Sequence, residues 1–114
     1  MGLFNRRDDS RRDYNNALNG LNNNESARDR VHFQQISPTD DPVLIADIII
    51  QEGRPLVLDF SLLEVDEANK DLAFISGVSY ALDGEVTHIY ESIYLFVRRV
   101  DMLDGTLEEM IREL

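Results

Sequence analysis

The stretch Pro55–Gly84, PLVLDFSLLEVDEANKDLAFISGVSYALDG, decides the fold. Pro55 to Phe60 are nearly all apolar and rich in bulky or β-branched side chains. That is the pattern of a strand covered on both faces, hence a central one. The spacing then turns helical. Val65, Ala68, Leu72, Ile75, Ser79 and Leu82 recur at steps of three and four, which predicts a helix from about Asp66 to Leu82 with these residues on one side. Phe74, Gly77, Val78 and Ala81 fall on another side, more than ~100° away at 3.6 residues per turn. A helix with two apolar faces needs two partners. One is its own sheet, and the other is expected to be a second copy of the chain. Gly77 inside a helix costs ~1 kcal/mol relative to alanine and is tolerated where a backbone must approach closely. Phe74, Gly77, Val78 and Ala81 are therefore the candidate self-association face, with tight packing inside one subunit as the alternative. Asp83-Gly84 ends the helix.

Upstream, Val31 to Ile36 reads as a strand broken by Ser37-Pro38. Asp41 is placed to cap a helix with Pro42 at its first position, where a missing N–H does no harm. The run Val43 to Gln51 follows, and Gly53 supplies a stop signal. Its Ile48-Ile49-Ile50 triplet also suits a strand, but the cap and the length favour helix. Downstream, Glu85 to Tyr90 and Ser92 to Val97 read as an antiparallel pair joined tightly around Glu91. Thr106-Leu107-Glu108-Glu109 has the capping-box pattern before a short last helix. The order β-α-β-α-β-β-α predicts a compact two-layer α/β sandwich over residues 31–114. A domain of this size is only modestly stable alone, and a dimer contact would add buried apolar area.

The chain has 114 residues, no cysteine and a formal charge of −11. The length allows one domain, and the lack of cysteine excludes disulfides and thiolate chemistry. No apolar run approaches the ~18 residues that span a bilayer, and the first ten residues lack the apolar core of a signal peptide. Charge is unevenly spread. Residues 1–30 hold six arginines against five acids, whereas residues 31–114 hold five basic and seventeen acidic side chains. An acidic body repels phosphate, so nucleic acid is not an expected partner. It also repels anionic lipid, so membrane contact has to come from the N-terminus. Residues 1–7 are read as a short membrane-targeting segment built on Leu3, Phe4, Arg6 and Arg7. Burying Leu3 and Phe4 is worth ~3–5 kcal/mol at most, with ~1 kcal/mol per nearby arginine on anionic lipid. Asp8 and Asp9 subtract, so useful binding requires the avidity of a dimer or polymer. Residues 8–30, rich in asparagine, read as a flexible polar linker. A weak helix through Tyr14, Leu18 and Leu21 is the alternative.

No catalytic constellation emerges. His32 and His88 have no third ligand at metal spacing, and each is expected on a strand face. The pairs Asp40/Asp41 and Asp66/Glu67 lie at predicted helix starts, where they suit the helix dipole. The serines lack a nucleophile-elbow setting, and the glycines form no phosphate-cradling loop. The expectation is binding or assembly, with no enzyme activity, metal or cofactor.

The block Asp66-Glu67-Ala68, Phe74-Ile75-Ser76-Gly77, Val78 to Gly84 resembles the core of the SepF family of division proteins. There a strand of the type VVLNLQ precedes a DEA…DFLSGxVYALDG helix. Glu85 to Phe96 is similar to the family's next segment, and Pro42 to Gln51 fits its first helix. The resemblance covers about residues 31–108. It implies a dimerising α/β domain that binds the C-terminal tail of FtsZ at the inner face of the cell membrane, and in some members a higher polymer. Gly77 falls on the glycine implicated in family self-assembly. His88 and Tyr94 fall on the basic and aromatic positions that contact FtsZ, and Phe96 and Arg98 complete the expected contact set. The family often has a basic residue at His88 and phenylalanine at Tyr94, and this chain lacks the proline that usually follows. Arg98 and Arg99 are expected to supply the missing positive charge. A scaffold paralogue without its own anchor, and a small-molecule-sensing domain of ACT-like architecture, are the competing readings.

Overall fold

The computed structural model describes residues 25–114. Strand β1 (His32–Gln35) leads to helix α1 (Pro42–Gln51), strand β2 (Leu56–Asp59), helix α2 (Val65–Ala81), strands β3 (Glu85–Tyr90) and β4 (Ile93–Val97), and helix α3 (Thr106–Glu113). Short 3₁₀ turns occupy Arg28–Arg30 and Arg99–Met102. The expected order and the α/β sandwich are both found.

The sheet runs β1-β2-β4-β3. β1 and β2 are parallel, while β4 is antiparallel to both β2 and β3. β3 therefore runs parallel to β2, with β4 slotted between them. Both crossovers, through α1 and through α2, step the same way across the sheet, and parallel crossovers are right-handed. The two helices consequently lie on one face. They enclose Ile36, Ile45, Ile49, Leu56, Leu58, Phe60, Ile75 and Phe96. On the other face, α3 and the first 3₁₀ turn cover Val57, Leu95 and Val97 through Ala27, Val31, Leu107 and Met110. β2 is central as expected, with Leu56, Val57 and Leu58 all buried. Each such side chain contributes about 1.5–3 kcal/mol of burial.

Local signals account for the helix ends. The Asp41 carboxylate accepts the Val43 N–H at 2.9 Å, and Pro42 opens the helix. At the far end of α2, the Gly84 N–H bonds the Ser79 carbonyl at 2.9 Å and the Asp83 N–H bonds that of Tyr80 at 3.0 Å. This is a Schellman termination. Asp83 itself takes the left-handed position, at φ 59°. Gly84 is needed one residue later, because a Cβ there would lie 1.7 Å from the Val97 carbonyl oxygen.

Two expectations change. The folded part begins before Val31: Ala27 is fully buried, its N–H bonds Asp104 at 2.9 Å, and the Arg28 N–H bonds the Thr106 hydroxyl. The linker expectation thus fails for residues 26–30, which are docked on α3, and residues 8–24 lie outside the described ones. The last helix forms, but Thr106 does not cap it. Gly105 holds the cap position and Asp104 accepts the Thr106 N–H at 3.0 Å. The Thr106 hydroxyl instead donates to Asp104 at 2.7 Å and accepts the Arg28 N–H.

Candidate functional site

Sheet register sets the candidate site. Gln34, Leu58, Tyr94 and His88 stand in one cross-strand row, on the face that carries α1 and α2. At this end of the sheet α2 has only begun, and its first turns leave a groove of about 290 Å³. Phe60, Leu63, Ala68, Leu72 and Tyr94 form its apolar lining, with Ser61, Asn69, Glu91 and Ser92 as polar neighbours. The Tyr94 ring meets Phe60 edge-on, centroids 5.9 Å apart, and stacks on His88 at 4.7 Å. The His88 Nε2–H donates to the carbonyl of Glu91 in the β3–β4 turn. Glu91 adopts φ 47° and the strands carry a bulge between His88 and Tyr90. The turn thus holds the imidazole beside the phenol, with His88 exposed and Tyr94 half-buried.

The structure separates the four expected peptide contacts. His88 and Tyr94 are adjacent, but Phe96 is fully buried and meets Phe60 at 6.3 Å as part of the core. It supports the groove from below and has no surface to offer. Arg98 also leaves the contact set. Its Nη2 donates to Asp101 at 2.8 Å and to the Gly53 carbonyl at 2.9 Å, and its side chain is only 9% exposed. Arg30 reaches the same Asp101 carboxylate at 3.0 Å. Asp101, three residues beyond Arg98, makes it a structural residue at the opposite end of the sheet from the groove. Arg99 stays exposed and pairs with Asp83 at 3.0 Å.

The self-association set also divides. Phe74 is 42% exposed, Ala81 is exposed, and a Cβ at Gly77 would meet nothing within 4 Å. Tight packing inside the subunit therefore does not explain the glycine. Val78, in contrast, turns inward and packs against the core. Ala73 and Tyr80 join the outward face instead, both exposed. Their spacing of four and three from Gly77 was the available signal. Val65, expected on the inner side, is 73% exposed at the mouth of the groove. The groove lining itself was missed, although Leu63 is apolar in a connection where polar turn residues are the rule and Val65 opens α2. Leu3, Phe4, Arg6 and Arg7 lie outside the described residues.

Carboxylates crowd the groove end. Asp59 would be raised by burial, but hydrogen bonds from Ser61, Ser92 and Gln35 hold it below the usual range. Asp71 is pushed up, by burial first and then by Glu67 and Asp41.

The profile described as cell division protein SepF matches residues 31–109. The chain belongs to the SepF family. It is 33% identical over 64 residues to the SepF of Gloeothece citriformis, covering 54% of this chain and 33% of that protein. It is 25% identical over 97 residues to that of Finegoldia magna, covering 85% of this chain and 60% of the other. Similarity to SepF 2 of Desulforamulus reducens is 40% over 48 residues, covering 42% and 30%. The chain thus spans between a third and three-fifths of the length of the first two of these relatives. The family carries a role in cell division. Among the described residues, no helix is long and apolar enough to cross a membrane.

Proposed function

We propose that this chain is a non-enzymatic division adaptor in the cytoplasm, which binds the C-terminal tail of FtsZ and brings FtsZ filaments to the inner face of the membrane at the division site. The observation that carries this reading is the groove beside Tyr94. It offers an apolar lining, a stacked His88 at its lip and polar neighbours that can bond a peptide backbone. A short peptide segment with one or two apolar anchors suits a space of this size. Homodimerisation is part of the proposal, through the outward face of α2 with Phe74, Gly77 and Ala81 joined by Ala73 and Tyr80. Higher polymers follow if a second surface is used. Leu3, Phe4, Arg6 and Arg7 are the proposed membrane contact, made effective by avidity.

The test is titration of the full chain with the FtsZ tail peptide from the same organism, read by fluorescence anisotropy. Saturable binding that is lost in Tyr94→Ala is the expected result. No binding up to about 1 mM, where association is worth only about 4 kcal/mol, removes the reading. Liposome flotation that is unaltered by deleting residues 1–12 removes the membrane part.

A further inference from the structure

The groove has an electrostatic setting that the tail reading does not use. Six arginines are described: Arg28, Arg30, Arg54, Arg98, Arg99 and Arg112. Arg30, Arg54 and Arg98 flank the starts of β1 and β2 and the end of β4, one end of the sheet, and pair with Asp101, Glu52 and Asp101. The groove lies at the other end. Its surroundings there carry Asp40, Asp41, Asp59, Glu64, Asp66, Glu67 and Glu91, with Lys70 as the one lysine in the chain. An apolar groove among acidic side chains selects a segment that puts apolar side chains next to fixed positive charge. The exposed Leu62 and Val65, at 53% and 73%, extend the apolar surface out of the groove.

One stretch of this chain has that chemistry. Leu3-Phe4-Asn5-Arg6-Arg7 sets two large apolar side chains beside two arginines, and it lies outside the described residues. Roughly 20 residues separate Phe4 from Glu25, a span of about 65 Å when extended and about 25 Å as a coil. The described chain starts beside Asp104, at the arginine end, and strands of four to six residues run about 13–20 Å to the groove end. The segment reaches without strain.

We propose that Leu3 to Arg7 docks in the groove of its own chain, with Leu3 or Phe4 against Phe60, Leu63, Leu72 and Tyr94, and Arg6 and Arg7 facing Glu64, Glu67 and Glu91. This rests on the preceding reading only in naming what the segment excludes. The residues proposed for the membrane and the site proposed for the FtsZ tail then occupy each other. Anionic lipid, by taking the segment, opens the groove, and the two binding events are coupled because one docked state opposes both.

The chain has no cysteine, so Gly2→Cys accepts a single nitroxide label on the full chain. The expected result is selective loss of amide NMR intensity at Leu63, Ala68, Asn69, Leu72 and Ser92. The loss is restored by Leu3→Ser/Phe4→Ser, by Glu64→Lys/Glu91→Lys, and by salt that shortens screening from about 10 Å at 0.1 M to about 3 Å at 1 M. Vesicles of phosphatidylcholine with phosphatidylglycerol also restore it, and vesicles of phosphatidylcholine alone do not. Uniform or absent broadening overturns the proposal. So does broadening that is unchanged in Glu64→Lys/Glu91→Lys. FtsZ tail binding without groove broadening overturns this inference and leaves the tail reading standing. Groove broadening that the tail peptide cannot displace does the reverse.

Discussion

The imidazole of His88 lies over the ring of Tyr94, with centroids 4.7 Å apart and planes inclined by 24°. Such pairs add about 0.5–1.5 kcal/mol beyond their burial. A double-mutant cycle with His88→Ala and Tyr94→Ala, followed by urea unfolding, is expected to return a coupling in that range. Tyr94→Ala alone should cost about 2 kcal/mol, less than a fully buried aromatic, and weaken FtsZ tail binding at least tenfold, or about 1.4 kcal/mol.

Gly77 offers a cleaner separation of stability from assembly. Its added Cβ meets nothing, so Gly77→Ala should stabilise the isolated chain by up to about 1 kcal/mol, the helix penalty of glycine. Gly77→Lys should keep the fold and abolish dimers in sedimentation. An unchanged sedimentation profile would place the subunit contact on another face.

Gly84 should behave in the opposite way. A methyl group there collides with the Val97 carbonyl, and Gly84→Ala is expected to destabilise by about 1–3 kcal/mol as an overpacking change. Thermal unfolding of the two glycine variants side by side should show shifts of opposite sign.

The buried ion cluster predicts a large loss. Asp101 is 2% exposed and receives Arg98 and Arg30 together. Asp101→Asn removes the buried carboxylate that Arg98 and Arg30 share and should cost about 3–5 kcal/mol, read by chemical denaturation.

Acid should unfold the chain through Asp104. Burial would raise its pKa, but the N–H groups of Ala27 and Thr106, the Thr106 hydroxyl and the charge of Arg30 lower it overall. A carboxylate lowered in the folded state contributes stability above its unfolded value of about 3.9, and loses it as pH falls through the folded value. Stability should therefore drop below about pH 4, and the drop should be shallower in Asp104→Asn. Asp71 works with the opposite sign, since its ionised form is penalised. Asp71→Asn should stabilise at neutral pH.

The sequence showed the elements well because their signals are local. Asp41 and Pro42 start a helix wherever they stand together, and a run such as Leu56-Val57-Leu58 fits only a covered strand. It showed the site less well because alternation and helical spacing name a face without naming what covers it. Tyr94 and Phe96 share one side of β4, and only the late start of α2 leaves Tyr94 reachable while Phe96 is sealed. Val78 lies on the edge of the α2 stripe, and it joins Val86 against the core. Arg98 read as surface charge because the neutralising Asp101 sits beyond the strand. Thr106 sits inside the helix, and its hydroxyl donates to Asp104 and accepts the Arg28 N–H, partners that a motif does not contain.

The docking of Ala27 under Asp104 also has a mechanical meaning. The chain enters the domain at the start of β1, and the groove lies past its end. A pull between the two runs along the parallel pair β1 and β2, which stand in register from His32 opposite Leu56 to Gln35 opposite Asp59. The ladder bonds between such strands share a lengthwise load in shear and do not open one at a time.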